Sequence, residues 1–127
     1  MGYRSDVGLA LTKKGVKALN AKLAEESVSE ELRESVMELL DDADQHYTDR
    51  NSGAELWYWE SIKWYDTLPL EYQNICCIME TLAKLENEDY RFIRIGEDYE
   101  DTEVSGGFWE NPFGFGLKRE ITFSAAA

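Results

Sequence analysis

Residues 55–65, Glu-Leu-Trp-Tyr-Trp-Glu-Ser-Ile-Lys-Trp-Tyr, carry five aromatic side chains and an isoleucine. Aromatic and β-branched residues fit a pleated, half-buried surface, so this run predicts a strand. Its alternation is imperfect. Trp57 and Trp59 share one parity, while Ile62 and Trp64 share the other. Four large apolar groups cannot all reach one core from a regular strand, because successive side chains point to opposite faces. One extra residue near Glu60-Ser61 corrects the parity, and that is what a β-bulge supplies. The chain must therefore build a sheet with a deep apolar face and a kink at 60–61.

The rest of the pattern agrees with such a sheet. In Asp6-Val7-Gly8-Leu9-Ala10-Leu11-Thr12, the residues Val7, Leu9 and Leu11 point one way, and Thr12 can cap a following helix. Val16, Leu19 and Leu23 then recur at helical spacing over 13–25, with Lys13, Lys14, Lys17 and Lys22 on the wet side. Ser27 with Glu30, or alternatively Ser29, opens a second helix, whose stripe is Leu32, Val36, Leu39, Leu40 and Ala43. It should fade near Asp44, and Asn51-Ser52-Gly53 signals a loop. Tyr72, Ile75, Met79, Leu82 and Leu85 predict a third helix within 70–86, with Cys76 nearer the stripe than Cys77. Tyr90 to Ile95, apolar on both faces, reads as a central strand. Residues 97–116 show little periodicity, and 117–123 alternate as a last strand. The expected buried set is Val7, Leu9, Leu11, Leu32, Val36, Ile75, Met79, Leu82, Ile93 and Ile121.

The order β-α-α-β-α-β-irregular-β predicts an α+β fold: a two-layer sandwich with a mostly antiparallel sheet and helices on one face. One domain is expected over 1–123, since 127 residues suffice for one core without a disulfide or metal. Ser124 to Ala127 matches nothing before it and reads as a tail left by cloning. No apolar run approaches the ~18 residues that would span a bilayer. The chain holds 13 basic and 26 acidic residues, a net charge of −13. Such a charge repels phosphates, which argues against nucleic acid or an anionic membrane as direct partner. Two adjacent cysteines and a single histidine, His46, argue for a reducing cytoplasm and against a zinc site. His46 reads as a surface residue at a helix end. No metal and no cofactor is expected. Asp42 to Asn51 fails the calcium-loop spacing, and the acidic run Glu97 to Glu103 reads more simply as a charged loop than as a cation site.

Three blocks carry a resemblance. Gly2-Tyr3-Arg4-Ser5-Asp6-Val7, Trp59-Glu60-Ser61-Ile62-Lys63-Trp64-Tyr65 and Arg94-Ile95-Gly96-Glu97-Asp98 resemble, in this order, blocks of a recurrent family of small phage and prophage proteins. The similarity runs over most of 2–123. It implies an accessory protein of a phage or mobile element acting in a bacterial cytoplasm, and it implies no catalytic residues.

Two candidate surfaces follow. If the first two helices form an antiparallel hairpin, the aromatic strand runs antiparallel to the first strand. One more helix then makes the Tyr90 strand parallel to the aromatic one. This gathers Arg4, Asp6, Lys63, Asp66, Arg94 and Glu97 at one end of the sheet, either as a small-ligand or catalytic site or as ion pairs closing the end. The second surface is acidic. Residues 25–49 hold ten carboxylates against Arg33, whereas residues 1–24 have a net charge of +4. Within this segment Glu30, Glu34, Glu38 and Asp41 share one helix face. That row is either a solvated face or a mimic of nucleic acid that docks on a basic host protein. The leading expectation is protein binding, as an inhibitor of a nucleic-acid-binding host defence protein. The alternative is a ligand-binding protein or enzyme at the sheet end. A homodimer is compatible with either. Trp109 and its neighbours Phe108, Phe113 and Phe115 either fold back on the core or form a contact surface.

Overall fold

The computed structural model describes residues 2–68, 70–98 and 100–117. The elements are β1 (Ser5–Leu11), α1 (Lys13–Leu23), α2 (Glu30–Asp41), β2 (Gln45–Thr48), β3 (Glu55–Ile62), α3 (Gln73–Lys84), a short 3-10 turn (Asn87–Asp89), β4 (Tyr90–Gly96) and β5 (Thr102–Ser105). The five strands form one open sheet in the order β2-β3-β1-β4-β5, and every neighbouring pair is antiparallel. The fold is α+β, as the sequence predicts. The strand expected over 117–123 and the tail lie outside the described residues beyond Leu117, and Ile121 with them.

The helices cover one face. Val7, Leu9 and Leu11 of β1, all essentially inaccessible, pack with Leu19, Leu23, Val36, Leu39, Ile75, Ile78, Leu82 and Phe92. The bulge is where the aromatic pattern requires it. The pairing of β1 with β3 shifts between Ser5 and Val7, so that Glu60 and Ser61 together oppose Asp6. Ser61 takes φ +55°. Trp57, Trp59 and Trp64 consequently all enter the helix-side core, with Ile62 half-buried against it. Trp59 also donates its indole N–H to the Leu39 carbonyl at 2.9 Å, tying β3 to the end of α2.

The Thr12 cap is as expected, and the second helix takes the alternative cap. Thr12 Oγ1 accepts from the Gly15 amide, and Ser29 rather than Ser27 caps α2 through the Leu32 amide. Thr12 also donates to the Asp89 carboxylate at 2.9 Å, which fastens the β1–α1 corner to the turn before β4. A side chain at Gly15 would lie 2.8 Å from the Asp89 carbonyl oxygen, so the helix approaches this closely only because the residue is glycine.

The helix hairpin is a correction. α3, not α1, is the principal neighbour of α2, and α3 packs against both. α2 ends beside the far end of β3, where the Asp44 carboxylate accepts from the Glu60 amide. The chain therefore still has to cross the sheet, and β2 makes that crossing. The direction of β3 comes out as expected because an unforeseen strand supplies the reversal that the helices do not.

Five residues also differ. Cys77 is buried and Cys76 only half so, because Cys77 and Thr81 turn toward α1. Flanked by two helices, α3 has a wider buried arc than its apolar stripe indicates. Met79 and Leu32 accordingly stay half-buried. His46 lies in β2, not at a helix end. It stacks on Trp57 at 5.0 Å and pairs with Glu55 at 2.8 Å.

The opposite sheet face is covered by the aromatic stretch. Gly8 gives the Phe115 ring its seat, since a side chain there would collide with the ring. Asn111 shapes this loop. Its amide donates to the Phe108 and Phe115 carbonyls, and its oxygen accepts from the Phe113 and Phe115 amides. Trp109 remains 70% exposed, with the Arg91 guanidinium 3.8 Å from its ring centre.

Candidate functional site

The sheet end assembles as its topology requires. β1 begins where β3 and β4 finish, so the three sequence blocks meet. Arg4 uses its amide on Glu97 Oε2 at 2.9 Å and its guanidinium on the Ser61 carbonyl at 2.9 Å. Asp6 Oδ1 accepts from the Ser61 amide at 2.9 Å, which holds the bulge. Arg94 binds Asp101 through two nitrogens, at 3.0 and 2.7 Å, Glu103 through Nε at 3.2 Å, and Ser5 Oγ at 3.1 Å. Tyr3 donates to Asp101 and accepts from the Asp98 amide, while Tyr65 donates to the Tyr3 carbonyl. The Lys63 side chain lies against Gly2. Asp66 stands apart: its carbonyl accepts from Cys76 Sγ at 3.4 Å, and its carboxylate takes no part in the network.

The electrostatics follow from these contacts. The Arg94 hydrogen bond, helped by Tyr3, holds the Asp101 carboxyl down at about 2. Those same carboxylates hold the Arg94 guanidinium firmly protonated. Four donor contacts of Arg94 end on this chain's own atoms, so little of its hydrogen-bonding capacity faces outward. Asp101 and Glu103, two members of the acidic run, are consumed in this way. The sequence reading missed that role. Its signal is available in hindsight, because a charge on a central strand needs a partner and Arg94 stands opposite Glu103 in the ladder.

The thiols offer no nucleophile. Burial pushes both Cys76 and Cys77 up, away from the thiolate.

The acidic face is different. Glu30, Glu34, Glu38 and Asp41 are all exposed, and among the described residues none is ion-paired. With Arg33 and Asp42 they border a shallow concavity that also contains Met37, an exposed apolar side chain. Met37 was not singled out from sequence, although it falls off the stripe and three residues after Glu34. Glu38, Asp41 and Asp42 crowd the C-terminal end of the helix, which carries no basic residue in its last turn. Negative charge there opposes the helix dipole, at about 0.3–1 kcal/mol per group.

No family model, no curated protein and no solved structure matches the chain. No helix among the described residues is long and apolar enough to cross a membrane.

Proposed function

We propose that this chain is a small accessory protein of a phage or mobile element that acts by protein–protein binding in the bacterial cytoplasm. Its acidic α2 face docks on a basic, nucleic-acid-binding surface of a host protein, such as a defence nuclease. The observation that carries this reading is a row of four exposed carboxylates around Met37, none ion-paired among the described residues, of which Glu38 and Asp41 lie at the helix end where negative charge is locally unfavourable. A face that only solubilises can place its charge anywhere on the surface. Glu38 and Asp41, held at the wrong end of the helix dipole, fit a need for charge at that place. The spacing along one helix face gives a line of negative charge with an apolar contact at its centre, which suits a groove that normally holds a phosphate backbone. The sheet end favours this reading over a ligand site, because Arg94 is neutralised by Asp101 and Glu103 and the side chains of Arg4 and Asp6 are engaged by the chain's own backbone.

The test is capture of a partner from a bacterial lysate, followed by association kinetics across a salt series. Replacing Glu30, Glu34 and Glu38 by Gln and Asp41 by Asn should slow association at low salt by about tenfold or more and flatten the salt dependence. Duplex DNA should compete with the wild-type chain for the partner. Unchanged rates and an unchanged salt slope would refute the docking role of this face.

A further inference from the structure

The two edges of the sheet are not equivalent. β5 is blunted by charge: Glu103, partly exposed, is tied to Arg94 across the ladder. Charged side chains on an edge strand disfavour the addition of another strand. β2, Gln45–Thr48, has no lysine, no proline and no bulge, and all four of its residues are exposed. Among the described residues it pairs only with β3.

The register identifies the groups that are left over. The Asp49 amide donates to the Ala54 carbonyl at 2.8 Å, just beyond the pair Thr48–Glu55. Backbone groups of alternate residues point the same way, so those of Gln45 and Tyr47 face β3, and those of His46 and Thr48 face outward. Beside this edge, on the sheet face away from the helices, a groove runs between Tyr47 and Leu56 on one side and Phe113 to Gly116 on the other. Asp41, Asp42 and Asp44 precede the edge and Asp49 follows it, with Arg50 the adjoining cation. These acids continue the row on α2.

We infer that the β2 edge takes up an extended, basic peptide segment of the partner as a sixth strand. This rests on the reading that the α2 face meets a basic protein, and it adds a second, backbone-mediated contact. The segment pairs with His46 and Thr48. It sets one apolar side chain in the groove beside Tyr47 and aligns lysine or arginine with the flanking aspartates. Backbone pairing supplies affinity in this mode, and the alternate side chains supply selectivity. Charge complementarity selects the occupant: a second copy, paired antiparallel, would bring the same flanking aspartates against each other.

The experiment screens the immobilised full-length chain against a randomised eight-residue peptide library. Enriched sequences should alternate apolar residues with lysine or arginine. Binding them should slow hydrogen exchange of the His46 and Thr48 amides. Thr48→Pro removes one outward N–H without touching the β2–β3 ladder, a position where an edge strand tolerates proline. It should weaken the selected peptides at least tenfold, with unfolding by urea unchanged. The inference is overturned if no alternating basic peptide is enriched, or if Thr48→Pro binds as well as wild type. It is also overturned if the two amides are already protected in the free chain, by a second copy (protection rising with concentration) or by the chain's own residues after Leu117. The two proposals separate cleanly. A captured host protein that responds to the α2 amide variants but not to Thr48→Pro would leave the α2 reading standing and remove this one.

Discussion

Ser61 tests the bulge, on which the placement of the tryptophans depends. It is the only non-glycine residue among those described with positive φ, at +55°. The left-handed region costs an L-residue about 1–2 kcal/mol, and glycine avoids that cost. Glycine also loses more backbone entropy on folding, by about 0.5–1 kcal/mol. The contacts at Ser61 run through its amide, to Asp6, and its carbonyl, to Arg4, so Ser61→Gly keeps both. The balance is a gain of about 0.5 kcal/mol. Ser61→Val puts a β-branched residue in the same conformation and should lose about 1–3 kcal/mol. Deleting Ser61 removes the extra residue and leaves strict alternation, in which Trp57, Trp59, Ile62 and Trp64 still share the core face; it forfeits the Asp6 and Arg4 contacts and should lose about 1–3 kcal/mol while keeping one cooperative transition. Trp64 is 5% exposed. A buried tryptophan removes about 150–250 Å² from water, or about 4–6 kcal/mol at 25 cal/mol/Å². That rivals the whole stability of a small domain, about 5–15 kcal/mol, so cooperative unfolding survives the deletion only if Trp64 stays on the core face. Urea titration monitored by tryptophan fluorescence reads all three variants. A Ser61→Gly protein that loses more than about 1 kcal/mol, or a deletion that abolishes cooperative unfolding, would show that the bulge does not set the register.

Other consequences are accessible to simple assays. Asp101 is held at about 2 in the folded chain, against 3.8 for the ordinary carboxyl. A lowered folded pKa stabilises above the unfolded value, and the contribution disappears as pH falls through the folded one. The stability difference between wild type and Asp101→Asn should therefore be full above about pH 5 and shrink between pH 4 and pH 2; a constant difference would contradict the Arg94 contact. Ellman's reagent under native conditions should modify Cys76 well before Cys77, and the reverse order in the Cys76→Ser and Cys77→Ser variants would refute the orientation of α3. Asn111→Ala should cost about 1–3 kcal/mol, because four backbone groups lose their partner, and should raise proteolytic cleavage between 108 and 116. Unchanged protease resistance would show that the loop is held by Phe115 alone.

The sequence by itself determined the elements whose partners are local. Thr12 and Ser29 cap the helices they precede because a hydroxyl three residues from an amide needs no tertiary help. The parity break in the aromatic run was legible for a similar reason: strand geometry has a period of two, and four large apolar groups admit only one correction. The meeting of the Gly2, Trp59 and Arg94 blocks at one sheet end came out as expected, but through β2 and not through the helix hairpin on which the expectation rested. Contacts across the fold decided the rest. β2 has four residues, polar and exposed, so it carries no periodic signal, and only the ladder with β3 defines it. β5 lies in an acidic run and becomes a strand because Arg94 needs Asp101 and Glu103. Which cysteine is buried depends on two neighbouring helices and not on the apolar stripe. The acidic row on α2 was visible in the spacing of Glu30, Glu34, Glu38 and Asp41. That it has no ion pair among the described residues, while Asp101 and Glu103 are neutralised by Arg94, is a property of where the cations lie in three dimensions. One sequence pattern therefore yields a closed end and an open face, and only packing separates the two.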